Sequence, residues 1–343
     1  MDTASQQLTS NYTLLKRERR GIPHAFVVIT IIVGSVWHLW QVQYAHVTPQ
    51  RTGGELAALS GDLIFHTGTP IEQANGAELL GIVVYSSDTP ELSTVLSSDE
   101  NLFISGAALS PDRSRAAVAS NIFGGETATV QVVTLSTGER TVIDEGVSVL
   151  FGTPIWSADG STFVYTRATL DPNADGDDAL TAITEEHMVK VSAVSGSRVD
   201  RGEGTPVALS PDGKAILSRT INGTLVFQDQ EGVITDLEGT DTTEILMCAQ
   251  SLDGSRLILI QGGKAALYTI DWGTLTLGEG VSMGDGYTSA TFDQSDAMAL
   301  LRTDGSVDVF HIENETPVFA STYRLTMDVT AQTTTLLDWI NPQ

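Results

Sequence analysis

The feature of this sequence that most narrows its possible folds is a short unit that returns five times: an apolar stretch, a tight turn and a second apolar stretch. It reads Ala107-Ala108-Leu109-Ser110-Pro111-Asp112 followed by Arg115-Ala116-Ala117-Val118-Ala119, and again Pro154-Ile155-Trp156-Ser157-Ala158-Asp159-Gly160 followed by Thr162-Phe163-Val164-Tyr165. The fullest copy is Pro206-Val207-Ala208-Leu209-Ser210-Pro211-Asp212-Gly213 with Lys214-Ala215-Ile216-Leu217. A fourth runs through Ser251-Leu252-Asp253-Gly254 and a degenerate fifth through Asp293-Gln294-Ser295. Proline presets φ at the first central turn position, Asp or Ser bonds back to the backbone, and Gly accepts positive φ where the chain reverses.

The turn anchors 110, 157, 210, 251 and 293 are separated by 47, 53, 41 and 42 residues. Two more strand-like runs follow most copies, such as 129–134 and 140–143, 224–227 and 233–235, 265–270 and 274–277, and 307–312 and 318–320. Four short strands at this period describe one blade of a β-propeller. Before the first copy lie three runs without an inner strand, 63–66, 80–85 and 93–96, and the chain end supplies one in Thr334-Thr335-Leu336-Leu337-Asp338-Trp339-Ile340. The expected fold is therefore all-β, a propeller over 59–343 with six blades (seven is the alternative count), the last strand completing the first blade and removing exposed sheet edges.

The Ser-Pro-Asp-Gly turn between two strands resembles the WD-like repeats of TolB-type propellers, also found in the propellers of prolyl-oligopeptidase-like peptidases. The resemblance covers about residues 55 to 343. It implies the scaffold of those families without the α/β domain that precedes the TolB propeller and without a peptidase domain.

Ahead of the repeats, residues 21–48 contain no Asp, Glu, Lys or Arg. A helix from Ile22 to Tyr44 would be roughly 34 Å long, enough to cross a bilayer. Trp37, Trp40 and Tyr44 cluster at its far end as an interfacial belt, and Lys16, Arg17, Arg19 and Arg20 precede it. The positive-inside rule then gives a cytoplasmic tail over 1–20, a transmembrane signal anchor over 21–44, a linker over 45–58, and a propeller outside the cytoplasm on the plasma membrane. A cleaved export signal carries similar charged and apolar regions, but the bulky Trp37-His38-Leu39-Trp40 offers no small-x-small cleavage pattern.

The formal net charge is −25. So acidic a surface repels phosphate and excludes nucleic acid as a partner. It serves solubility, or meets a cation-rich partner or metal ions. The single cysteine, Cys248, lies in an apolar run and reads as a core thiol. No Gly-x-Ser-x-Gly, His-Glu-x-x-His or phosphate-cradling loop is present. His66, His187 and His311 fall in or beside strand candidates and read as structural. The residues four before each anchor, Gly106, Thr153, Pro206, Met247 and Ser289, include no carboxylate, which speaks against a metal held by inner strands. The turn residues Asp112, Asp159, Asp212 and Asp253 read as turn formers.

One loop stands apart. Asp171, Asn173 and Asp175 have the one-three-five spacing of a calcium loop, Gly176 follows, and Asp177 would give its backbone carbonyl. The twelfth position is Ala182 instead of a bidentate acid, so a structural calcium and a solvated acidic loop both remain open. The resemblance to TolB-like propellers, where similar insertions occur, favours calcium. The functional expectation is a non-enzymatic module, anchored to the membrane, that binds a protein or an envelope polymer. A metal-dependent hydrolase or lactonase and a sensor subunit are the alternatives.

Overall fold

A computed structural model describes residues 61–72, 78–86, 91–98, 103–121, 127–171, 182–241, 245–325 and 334–340. All regular structure among them is β-strand. Two compact units are distinguished, 1–53 with 172–182 and 54–171 with 183–343; apart from Ala182, the described residues belong to the second. The expected tail, transmembrane span and most of the linker lie outside the described residues, among which no helix is long and apolar enough to cross a membrane.

Each repeated turn is built by the same hydrogen bonds. The anchor hydroxyl donates to the aspartate two residues on: Ser110 to Asp112 at 2.6 Å, Ser157 to Asp159 at 2.6 Å, Ser210 to Asp212 at 2.9 Å and Ser251 to Asp253 at 2.7 Å. That carboxylate accepts from the backbone N–H two residues further. The anchor Oγ in turn accepts from the N–H that opens the next strand. In the degenerate copy Asp293 does both jobs, accepting from the N–H groups of Ser295 and Ala297. Three residues after the anchor the chain turns left-handed, at Gly160, Gly213 and Gly254 but also at Arg113 (φ 58°) and Asp296 (φ 64°).

The strands form six antiparallel sheets. Blade 1 holds β1 (Asp62–Glu72), β2 (Glu78–Ser86) and β3 (Glu91–Ser97); blade 2 holds β4 (Gly106–Leu109), β5 (Arg115–Ser120), β6 (Ala128–Thr134) and β7 (Arg140–Gly146). Blade 3 holds an inner strand split into β8 (Val149–Phe151) and β9 (Ile155–Trp156), then β10 (Thr162–Leu170), β11 (Ile183–Ser192) and β12 (Arg198–Glu203). Blade 4 runs β13 (Thr205–Leu209), β14 (Ile216–Arg219), β15 (Thr224–Gln228) and β16 (Ile234–Asp241). Blade 5 runs β17 (Ile245–Gln250), β18 (Arg256–Gln261), β19 (Lys264–Asp271), β20 (Thr276–Leu277) and β21 (Val281–Asp285). Blade 6 runs β22 (Tyr287–Phe292), β23 (Met298–Arg302), β24 (Ser306–Glu313) and β25 (Thr316–Arg324). The last strand, β26 (Thr334–Ile340), pairs with β1 and supplies the inner strand of blade 1, with Trp339 opposite Leu63.

Six blades and the closure by 334–340 agree with the sequence expectation. The outer edge of blade 5 differs: the run expected at 274–277 pairs only with the end of β19, and β21 covers the rest.

Six apolar clusters sit one between each pair of neighbouring blades. This explains the second strands, which are apolar on both faces: β5 is buried from Ala116 to Ser120 because one face meets blade 1 and the other meets blade 3. Polar side chains stitch the same seams. Gln250 accepts from the N–H of Leu209 at 3.0 Å and donates to its carbonyl at 2.7 Å, and Asn121 does the same to Phe151 at 2.8 Å in both directions.

Candidate functional site

The inner strands adjoin one another around the ring, and between them lies a cavity of about 460 Å³ to which all six blades contribute. Its wall is formed by 107–111 of blade 2, 152–156 with Ala158 and Thr166 of blade 3, and 205–207 with Arg219 of blade 4. It is completed by 247–252 of blade 5, 290–292 of blade 6 and 335–338 of blade 1. The volume suits a small molecule.

The lining is mostly small, apolar or hydroxylated, for a reason legible in the chain. An inner strand crowded by five others tolerates Gly, Ala, Pro and Thr, and a Cβ added at Gly106 would lie 2.7 Å from the Thr153 Oγ1. Three ionisable groups reach the wall. Asp338 is bound by Arg113, whose Nη2 donates at 3.1 Å and whose Nε also donates, so blade 2 is clasped to the closing strand. Cys248 borders the cavity on β17 and is half-buried; the surrounding protein desolvates its thiolate and pushes the thiol up to about 12, the positive Arg219 opposing only in part. Cys248 packs against the apolar cluster between blades 4 and 5, in keeping with the core-thiol expectation, and also borders the cavity wall. Arg219 is half-buried at the end of β14.

The residues singled out from sequence separate into three groups. Thr153, Pro206 and Met247 do line the cavity, whereas Ser289 accepts from the N–H of Leu336 at 2.7 Å and holds the closing strand. The turn aspartates are fully engaged in their own turns, Asp112 held down to about 2 chiefly by the Ser110 hydroxyl and Asp212 to about 2 chiefly by Lys214. His66 is buried, its Nε2 donating to the Ile104 carbonyl at 3.0 Å, and burial lowers its pKa; His187 and His311 pair at the surface with Asp200 and Glu313. Of the calcium-loop residues only Asp171 is described; Asn173, Asp175 and Asp177 lie outside the described residues. Among the described residues no group of three His, Cys, Asp or Glu is placed to hold a metal.

Two wall residues escape a reading that looks only at inner strands, Thr166 and Arg219. Both stand nine positions after their turn anchors, on the second strands of neighbouring blades. That shared offset is the signal that would have found them.

Fold and axial cavity together define a six-bladed β-propeller. No family model and no curated protein matches the sequence. Among solved structures, the propeller is similar to TolB from Acinetobacter baumannii, at 18% identity over 82% of this chain and 68% of that one with a TM-score of 0.48. It is also similar to a chain of a nidogen/laminin complex, at 10% identity over 82% and 98% with a TM-score of 0.52. A third similar structure is an oligogalacturonate lyase in complex with manganese, at 16% identity over 76% and 78% with a TM-score of 0.48. At 10% identity the likeness to the nidogen/laminin chain carries the fold alone.

Proposed function

We propose that this protein is a binding module, a propeller held at the outer face of the cytoplasmic membrane by its N-terminal helix, that engages a protein or envelope-polymer partner without covalent chemistry. The observation that supports the reading is the axial cavity: six blades build it, and among the described residues its wall is mostly hydroxyl and apolar groups, with Asp338, Cys248 and Arg219 but no convergent set of carboxylates and histidines. The charge asymmetry around residues 21–44 supports the topology.

The test uses the full chain in its native envelope. A photo-crosslinking residue at Leu252, half-exposed in a turn at the cavity rim, should give a discrete adduct, and the same residue at Val194, 90% exposed on an outer hairpin, should not. Equal labelling from both positions, or none from Leu252, rejects the module. A reporter active only in the cytoplasm, fused after Gln343, should be silent; strong activity rejects the topology.

The reading includes a structural calcium ion at Asp171, Asn173, Asp175 and Asp177, whose role is to order the loop by neutralising its carboxylates. Calorimetry should show calcium binding that Asp171→Ala with Asp175→Ala removes. Absence of calcium-dependent heat leaves a solvated acidic loop.

A further inference from the structure

Of the three described histidines, His66 alone is buried, and it stands where the ring is closed. On β1 it pairs with Ile82 of β2 on one side and with Thr335 of the closing strand β26 on the other. Its ring points toward blade 2, into the apolar seam built by Ile64, Ile82 and Ile104, to which β26 adds Leu337 and Ile340. There Nε2 donates to the Ile104 carbonyl at 3.0 Å, and the Ile104 N–H donates to the Ser98 Oγ at 3.0 Å. Both backbone groups of Ile104, on the segment that leads from β3 into β4, are thus held by side chains of blade 1.

A neutral histidine that donates from Nε2 carries its lone pair on Nδ1, so acid adds the proton there. No described residue is hydrogen-bonded to Nδ1. The charged groups on the surrounding elements form no ion pair with the ring among the described residues. Glu78 of β2 and Glu145 of β7 are exposed, Asp62 and Arg140 open their strands, Asp338 of β26 is bound by Arg113, and Arg115 of β5 turns to Gly160 of blade 3. Asp99, Glu100 and Glu126 lie outside the described residues. Burial holds the imidazole below its ordinary value, and the bond to Ile104 opposes this only in part. A charge placed in such a seam without a counter-charge is costly.

We propose that His66 is an acid-sensitive latch on the closing blade: neutral, it pins blade 1 to blade 2, and protonated it loosens β1, β26 and the Ile104 link while the blades across the ring stay closed. The latch stands on the fold and not on what the propeller binds. Its sign is fixed by linkage. A histidine whose folded pKa is lowered stabilises the closed form above its unfolded pKa of about 6.5, and that contribution is lost as pH falls from there toward the folded value. Within that window each pH unit raises the ratio of open to closed forms by at most about tenfold.

The test is hydrogen exchange read by mass spectrometry on the full chain in detergent solution, at about pH 7.5 and about pH 5.5, corrected for the intrinsic exchange rate. Peptides covering 62–67, 103–106 and 334–340 should open at least about threefold more readily at the lower pH, and peptides of β13, β14 and β15 should not. His66→Gln, whose amide can donate to Ile104 and does not titrate, should lose that difference. No change in the blade 1 peptides, an equal change in every blade, or the same change in His66→Gln overturns the proposal. Where His66→Gln does not fold, the double variant His187→Gln with His311→Gln decides: the response should persist without the surface histidines, and its loss overturns the latch.

Discussion

At the scale of single residues, the repeat is maintained by a serine–aspartate pair whose chemistry has a pH signature. Asp112 is depressed from its ordinary value to about 2, first by the Ser110 hydroxyl and then by Ser114. A group with a depressed folded pKa stabilises above its unfolded pKa and loses that contribution as pH falls through the folded value. The stability difference between wild type and Asp112→Asn should therefore be constant above pH about 4 and shrink between about 4 and about 2. Thermal melts at matched ionic strength across that window check it; a difference that does not shrink there shows that the turn does not prefer the ionised acid. The comparison with the variant matters because protonating so acidic a surface also relieves repulsion, which acts in the opposite direction. The second residue-scale feature is Arg113, left-handed where three other copies have glycine, and bonded to Asp338. Left-handed strain at a non-glycine residue costs about 1–3 kcal/mol, so the clasp must offset it. Asp338→Asn should destabilise by about 1–3 kcal/mol in the wild type. In an Arg113→Gly background it should cost little, since the strain and the partner vanish together. A double-mutant cycle by denaturant titration measures the coupling, and additivity would mean the pair holds nothing.

At the scale of elements, one strand decides whether the ring is closed. β26 pairs with β1, places Leu336 and Trp339 in the core shared by blades 1 and 6, receives Ser289 at Leu336, and carries Asp338 to Arg113. Its removal opens two blade interfaces and exposes the β1 edge. Deleting residues 334–343 should lower the melting temperature of the whole domain and not merely fray one blade. Trp339→Ala alone should cost about 3–5 kcal/mol. A deletion variant that melts like the intact protein would show that the ring is closed by something else. The split inner strand of blade 3 and the doubled edge of blade 5 are element-scale departures from the repeat. Pro154 interrupts one, and Gly278 and Gly280 separate the two pieces of the other. Both breakers are visible in the chain, yet which neighbouring segment then takes over the pairing depends on the adjacent strand.

At the scale of the whole molecule, six cores of similar make-up lie between blades, so stability is shared around a closed circle and each seam depends on both its walls. No second long apolar run follows residue 51. Residues 52–343 expressed alone should therefore be soluble without detergent and melt in a single cooperative transition with a β-sheet circular dichroism spectrum. Aggregation relieved only by detergent would mean that residues 1–51 contribute to the propeller itself. The acidic surface should keep that fragment monodisperse at low salt.

The sequence by itself determined the repeat and the closing strand, because each rests on local chemistry: period-two apolar runs, a turn that needs Ser, Asp and Gly at fixed offsets, and a strand count left one short at the first blade; it favoured six blades over seven, and the six sheets decided the count. It also determined that the turn aspartates form turns, since the atoms that satisfy them lie within five residues. What only the tertiary structure decided is the identity of the cavity wall. Whether an arginine near the end of a second strand is neutralised depends on what stands across the ladder, as Asp308 does for Arg302. That Cys248 packs against the core between blades 4 and 5 and also borders the cavity depends on how closely six inner strands approach a common axis. Such contacts join residues far apart in the chain, 225 positions in the case of Arg113 and Asp338, and no local pattern encodes a distance that the closure of the ring creates.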